Sequence, residues 1–115
     1  MKIPLTITVR GLEHSDALEA AIREHAQKLE QFHSNVTSCR VGVEELGKHR
    51  HQGRQFRVRL DLRVPGKEIV VSHDHDEDVY VALRDAFDAA KRQLEDAVRE
   101  HRGDVKTHQT PPQRD

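Results

Sequence analysis

Residues 73–78 read HDHDED, two histidines alternating with acids, between the apolar run EIVVS and the stretch VYVALRDAFDAAKRQL. His73 and His75, two apart on a strand, would point the same way with carboxylates nearby, which is the beginning of a chelating set. A closed metal site needs a third and a fourth ligand. Cys39, in VTSCRVGV with apolar neighbours on its own face, is expected in the core instead. The same six residues suit a joint between strand and helix. Asp76 or Asp78 would cap the helix, and acids in its first turn would face the positive end of the dipole, worth about 0.3 to 1 kcal/mol each. No metal or cofactor is therefore expected. No nucleophile and base stand at recognised spacing and no glycine-rich phosphate loop occurs, so neither catalysis nor a small-molecule substrate is expected.

A second chemistry lies in FRVRLDLRV, where strand alternation turns Phe56, Val58, Leu60 and Leu62 inward and Arg57, Arg59, Asp61 and Arg63 outward. Arg57, Arg59 and Arg63 form a row on the exposed face, offset by Asp61 and with Arg10 and Arg40 as further members of that face, and guanidinium groups can bind phosphate in bidentate fashion. The bland alternative is a solvated sheet face with Glu44 and Glu68 as cross-strand partners. GKHRHQG concentrates Lys48 and Arg50 at a hairpin tip, a second candidate contact. The net charge of -1 excludes polycation behaviour, but the charge is unevenly spread. Residues 36–63 hold seven bases against three acids, and residues 76–102 hold eight acids against five bases. With Phe32, Phe56, Phe87 and Tyr80 as the aromatics, mostly on core stripes, no platform for stacking unpaired bases is expected. For a nucleic-acid partner, recognition through shape and phosphates would be the better expectation.

These side chains must be positioned by one small domain, since 115 residues at 35% hydrophobic leave no room for a second. No apolar stretch approaches the ~20 residues that cross a bilayer, and MKIPLTITVRG alternates like a strand, so no membrane partner and a cytoplasmic location are expected. Leu5, Ile7 and Val9 alternate with Thr6, Thr8 and Arg10 as a first strand. Leu18, Ile22, Leu29 and Phe32 recur at helical spacing, which predicts a helix from Ser15 to Phe32 with Ser15 or Asp16 as its cap. Cys39, Val41 and Val43 mark a second strand and FRVRLDLRV a third. Val64-Pro65-Gly66-Lys67 suits a type II turn into a fourth strand, EIVVS. Val79, Leu83, Ala86, Phe87, Ala90, Leu94 and Val98 form the stripe of a second helix. The domain is expected over 1–102 and a flexible tail over 103–115, GDVKTHQTPPQRD, which lacks periodicity and contains a Pro pair. The expected class is α+β: βαβββα, a four-stranded sheet with both helices on one face.

SDALEAAIREHAQKLEQF, VPGKEIVVS and EDVYVALRDAFDAAKRQL together resemble the ribosome hibernation factors, the short hibernation promoting factors and ribosome-associated inhibitors, over roughly residues 1–100. The resemblance implies a fold similar to double-stranded RNA-binding domains and a protein that binds the small ribosomal subunit and its rRNA in the channel of mRNA and tRNA, silencing translation in stationary phase. It implies RNA-contacting roles for Lys28 and Arg92, with Lys91 beside them, makes Arg57, Arg59 and Arg63 and the tip residues Lys48 and Arg50 candidate RNA contacts, and implies a packing role for Tyr80. Glu19, His25, Ala89 and Asp96 stand where bases are expected, which leaves the helices less positive. A monomer off the ribosome is expected. The alternative is a protein-interaction module of the same fold regulating a transcription or stress-response partner, as the older label of sigma factor modulation protein implies.

Overall fold

The computed structural model describes the backbone of residues 3–49, 53–76 and 78–109, and their side chains except at 47–49, 53–54, 75–76 and 100–109. The order is β1 (Leu5–Arg10), α1 (Asp16–Phe32), β2 (Ser38–His49), β3 (Gly53–Val64), β4 (Lys67–Asp76) and α2 (Val79–Gln109). The sheet order is β1-β2-β3-β4. β1 pairs with β2 in parallel, because α1 carries the chain back between them, whereas β2–β3 and β3–β4 are antiparallel hairpin pairs. The expected βαβββα architecture is the one observed.

Alternation sorts the sheet into two faces. Cys39, Val41, Val43, Phe56, Val58, Leu60, Leu62, Ile69 and Val71 are buried, and they join Leu18, Ile22, Ala26 and Leu29 of α1 and Leu83, Ala86, Phe87, Ala90 and Leu94 of α2 in one core. Burying a side chain such as Leu60 contributes roughly 1.5 to 3 kcal/mol. Local signals fix the element ends. Ser15 Oγ accepts the Leu18 N–H at 3.2 Å, and Asp78 Oδ1 accepts those of Tyr80 and Val81 at 2.9 and 3.3 Å. Each such cap is worth about 1 kcal/mol. Gly66, at φ 81°, occupies the left-handed position that a type II turn demands after Pro65.

Three expectations need correction. HDHDED is the strand–helix joint only at its end, where Asp78 caps α2 as expected: β4 continues through Asp76, so its first four residues are strand. The period-two pattern simply persists in polar residues, with His73 opposite Val58 and Asp74 opposite Arg57. Phe32 is 71% exposed rather than core, and Tyr80 is 45% exposed. At 100° per residue Phe32 lies about 75° off the centre of the stripe of Leu18, Ile22, Ala26 and Leu29, at the helix's last position. Finally, α2 runs to Gln109, past the expected domain limit at 102. Gly103 alone costs a helix only about 1 kcal/mol, and the nearest residues incompatible with a helix interior are Pro111 and Pro112. Residues 110–115 of the expected tail lie outside the described residues.

Candidate nucleic-acid interface

The sheet face away from the helices can be read as four rows crossing the strands, because each register is regular there. The first row is Arg10, Glu44, Arg57, Asp74; the second Thr8, Gly42, Arg59, Ser72; the third Thr6, Arg40, Asp61, Val70. Ser38, Arg63 and Glu68 form the fourth, and Leu46, Gln55 and Asp76 stand on the same face beyond the first. Among the described side chains five arginines therefore meet four carboxylates, a far smaller excess than the arginine row and Asp61 alone suggested. A shallow groove of about 650 Å³ crosses this face, bounded by Thr6, Thr8, Arg10, Arg40, Glu44, Arg57, Arg59, Asp61 and Ser72, with Gly42 in its middle.

The arginines are not equivalent. Arg57 makes a two-point ion pair with Asp74, Nε to Oδ1 at 2.9 Å and Nη2 to Oδ2 at 3.3 Å. That hydrogen bond, with the carboxylate charge, raises the guanidinium pKa further. The expected partner, Glu44, faces Arg57 across the other ladder and acts only at longer range. Glu68 faces Arg63 as expected, but its carboxyl bonds to Asp61 on the diagonal. The hydrogen bond to Asp61 and the Asp61 charge hold Glu68 above the ordinary carboxyl range, while Arg63 and Arg59 pull the other way. Arg59 shares its row with Thr8, Gly42 and Ser72 and, among the described residues, makes no ion pair.

The remaining expected contacts lie elsewhere. Lys28, Lys91 and Arg92 are exposed on the helix layer, with the core and the sheet between them and Arg57, Arg59 and Arg63. Lys91 Nζ stands 5.5 Å from the centroid of the Phe32 ring, a cation–π contact that covers one face of the exposed aromatic. Arg92 follows 100° round the axis on the outer side. The predicted set is thus divided between two opposite surfaces. The side chain of Lys48 and the whole of Arg50, at the β2–β3 tip, lie outside the described residues.

Several acids and histidines have structural partners. His73 turns to the helix side, its Nε2 3.5 Å from Asp85 Oδ2, while Asp85 also meets Arg84 at 3.2 Å. His14 Nε2 lies 3.2 Å from Glu19 Oε1 and 3.6 Å from Asp16 Oδ1, an exposed trio not singled out in the sequence. Arg23 engages the other Glu19 oxygen at 2.8 Å, and that bond lowers the Glu19 pKa. His25 stacks on Phe87 at 5.1 Å between centroids, and burial depresses its pKa. The stabilisation at this stack is complete above the ordinary histidine range and declines as pH falls through the depressed value. Burial, then the Asp61 charge, pushes the Cys39 thiol up to about 11, consistent with an inert core cysteine.

The model of the sigma 54 modulation protein / S30EA ribosomal protein family matches residues 5–102, every element from β1 through most of α2. The chain belongs to that family. A ribosome hibernation promotion factor from Deinococcus radiodurans is 29% identical over 85 residues, which are 74% of this chain and 44% of that protein. The chain thus spans less than half the length of the relative. Among solved structures, the N-terminal domain of Thermus thermophilus Protein Y is 25% identical with a TM-score of 0.64, covering 82% of this chain and 96% of that one. A ribosomal subunit interface protein from Coxiella burnetii superposes with a TM-score of 0.71 over 83% of this chain and 97% of that one, and at 16% identity it shows the shared fold. The expected resemblance to the hibernation factors is thereby established for this S30EA family chain.

Proposed function

We propose that this protein is a ribosome hibernation factor that binds the small ribosomal subunit near its decoding region and inhibits translation by occupying the channel of mRNA and tRNA. Its work is then cytoplasmic. The family match over residues 5–102 carries this reading, and the name of the Deinococcus relative agrees with it. The open arginine face supplies the chemistry, because guanidinium groups pair with the phosphates of a dense polyanion. The action is occupancy, with no bond made or broken.

The test is co-sedimentation of the protein with purified small ribosomal subunits across a salt series, with tRNA as competitor. Expected are saturable binding that weakens steeply with salt, displacement by tRNA, and loss of binding in Arg57→Glu/Arg59→Glu. Salt-insensitive binding, or no binding at low salt, would count against RNA contact. Binding that survives the double reversal would move the contact to Lys28, Lys91 and Arg92. A second reading rests on the excess of acids in residues 76–102: the helix layer docks a basic regulatory protein. Subunit binding abolished by charge reversal on the sheet face disfavours it.

A further inference from the structure

Gly42 stands in the interior of β2, hydrogen-bonded to strands on both sides, where glycine is normally a defect. A strand glycine usually answers one of four needs. It is not there for a left-handed backbone, because the positive φ values among the described residues fall at Gly11 and Gly66. No bulge requires it: Thr8, Gly42 and Arg59 are in regular register, and the irregularity of β2 lies between Leu46 and His49. Nor does a neighbour crowd it, since a Cβ built there meets nothing within 4 Å. The remaining need is close approach by something outside the described residues.

What approaches is indicated by the rim. Thr8 and Ser72 bring hydroxyls into the same row, and Arg59, without an ion-pair partner among the described residues, stands beside Gly42. Arg40 precedes Gly42 by two residues on the same face, and both line the groove. Glu44 and Asp61 also border it, but each faces an arginine across a ladder, Arg57 and Arg40 respectively. The cation in the glycine row is therefore the one that no acid faces directly in either ladder, Glu68 acting on it only from the diagonal beyond.

We infer that Gly42 is the floor of a phosphate seat, in which one phosphodiester of the ribosomal RNA backbone rests against the bare β2 backbone and is held by Arg59 and Arg40. The seat rests on the reading that the open face carries ribosomal RNA, and it names the point of closest approach. A side chain at position 42 would lift the phosphate away from both guanidinium groups without disturbing the fold.

Gly42→Val separates these effects. Valine suits a strand and its Cβ meets nothing within 4 Å at this position, so the variant is expected to melt no lower than the wild type. Its affinity for small ribosomal subunits falls about tenfold or more, and the slope of log affinity against log salt becomes shallower by about 0.7 to 0.9, the amount of one lost phosphate contact. If Gly42→Val binds as the wild type while Arg57→Glu/Arg59→Glu is deficient, the seat is overturned and the face reading stands. If neither variant loses affinity, both fall. Titration with ADP separates the two sources of a phosphate ester: micromolar ADP binding lost in Gly42→Val, with unchanged subunit binding, assigns the seat to a free nucleotide and overturns the RNA assignment.

Discussion

Arg59→Gln will lower the affinity for small ribosomal subunits by about 10- to 100-fold, whereas Arg57→Gln, two residues away on the same face, will lower it by about fivefold or less. The first figure follows from a hydrogen bond to a charged group, worth about 1.5 to 3 kcal/mol. The second follows from the Asp74 carboxylate that grips Arg57 at two points. An exposed pair of this kind adds only about 0 to 1 kcal/mol to the fold. It nevertheless matters for binding, because a neutral pair releases few counterions and its carboxylate repels an arriving phosphate. The converse substitution sharpens the comparison. Asp74→Asn should raise subunit affinity and steepen the salt dependence, since it frees one guanidinium group. Isothermal titration or co-sedimentation at two salt concentrations reads all three variants. Equal losses for Arg57→Gln and Arg59→Gln would show that Asp74 does not mask its partner.

The second large effect concerns stability. Gly11→Ala will destabilise the protein by about 2 to 4 kcal/mol, and Gly66→Ala by about 1 to 2 kcal/mol, although the two backbones are nearly the same. Gly11 has φ 78° and Gly66 φ 81°, so both substitutions force an L residue into the left-handed region. The surroundings separate them. A Cβ at Gly11 would lie 2.8 Å from the Glu45 carbonyl oxygen, which is backbone of β2 and cannot yield without moving the strand. A Cβ at Gly66 meets nothing within 4 Å. At about 4 to 8 °C per kcal/mol, the melting temperatures of the two variants should differ by several degrees. Thermal denaturation followed by circular dichroism measures this. A Gly66→Ala loss as large as that of Gly11→Ala would mean that the close approach of Glu45 costs nothing.

The sequence was most legible where one rule governs. The cap of α1 at Ser15 or Asp16, which the structure resolves to Ser15, the alternation of FRVRLDLRV and the Pro65-Gly66 turn each depend on chemistry within four or five residues. β4 was read too short because HDHD looks like a polar loop, yet its alternation never stops: His73 turns toward α2 and Asp74 toward Arg57. The Arg57–Asp74 pair was in fact deducible. The two-residue turn sets Val64 opposite Lys67, and seven steps back along each strand bring Arg57 opposite Asp74. Phe32 was misplaced because its spacing from Leu29 looks helical, whereas its angle puts it at the margin of the stripe, at the last position of α1 where little covers it. The split between the arginine face and the Lys28, Lys91 and Arg92 surface is a property of layers, visible only once both helices are seen on one side of the sheet.

β1 has six residues, lies at the sheet edge, and pairs with one strand. Its inward residues Leu5, Ile7 and Val9 are only half-buried, unlike those of β2 and β3. It is therefore the strand held by the least burial, and its detachment requires far less free energy than global unfolding. Yet Thr6, Thr8 and Arg10 reach the groove only from this strand. A partner resting on the open face thus binds the β1-docked population, its apparent affinity is scaled by the fraction of molecules in which β1 is docked, and its binding in turn holds the strand in place.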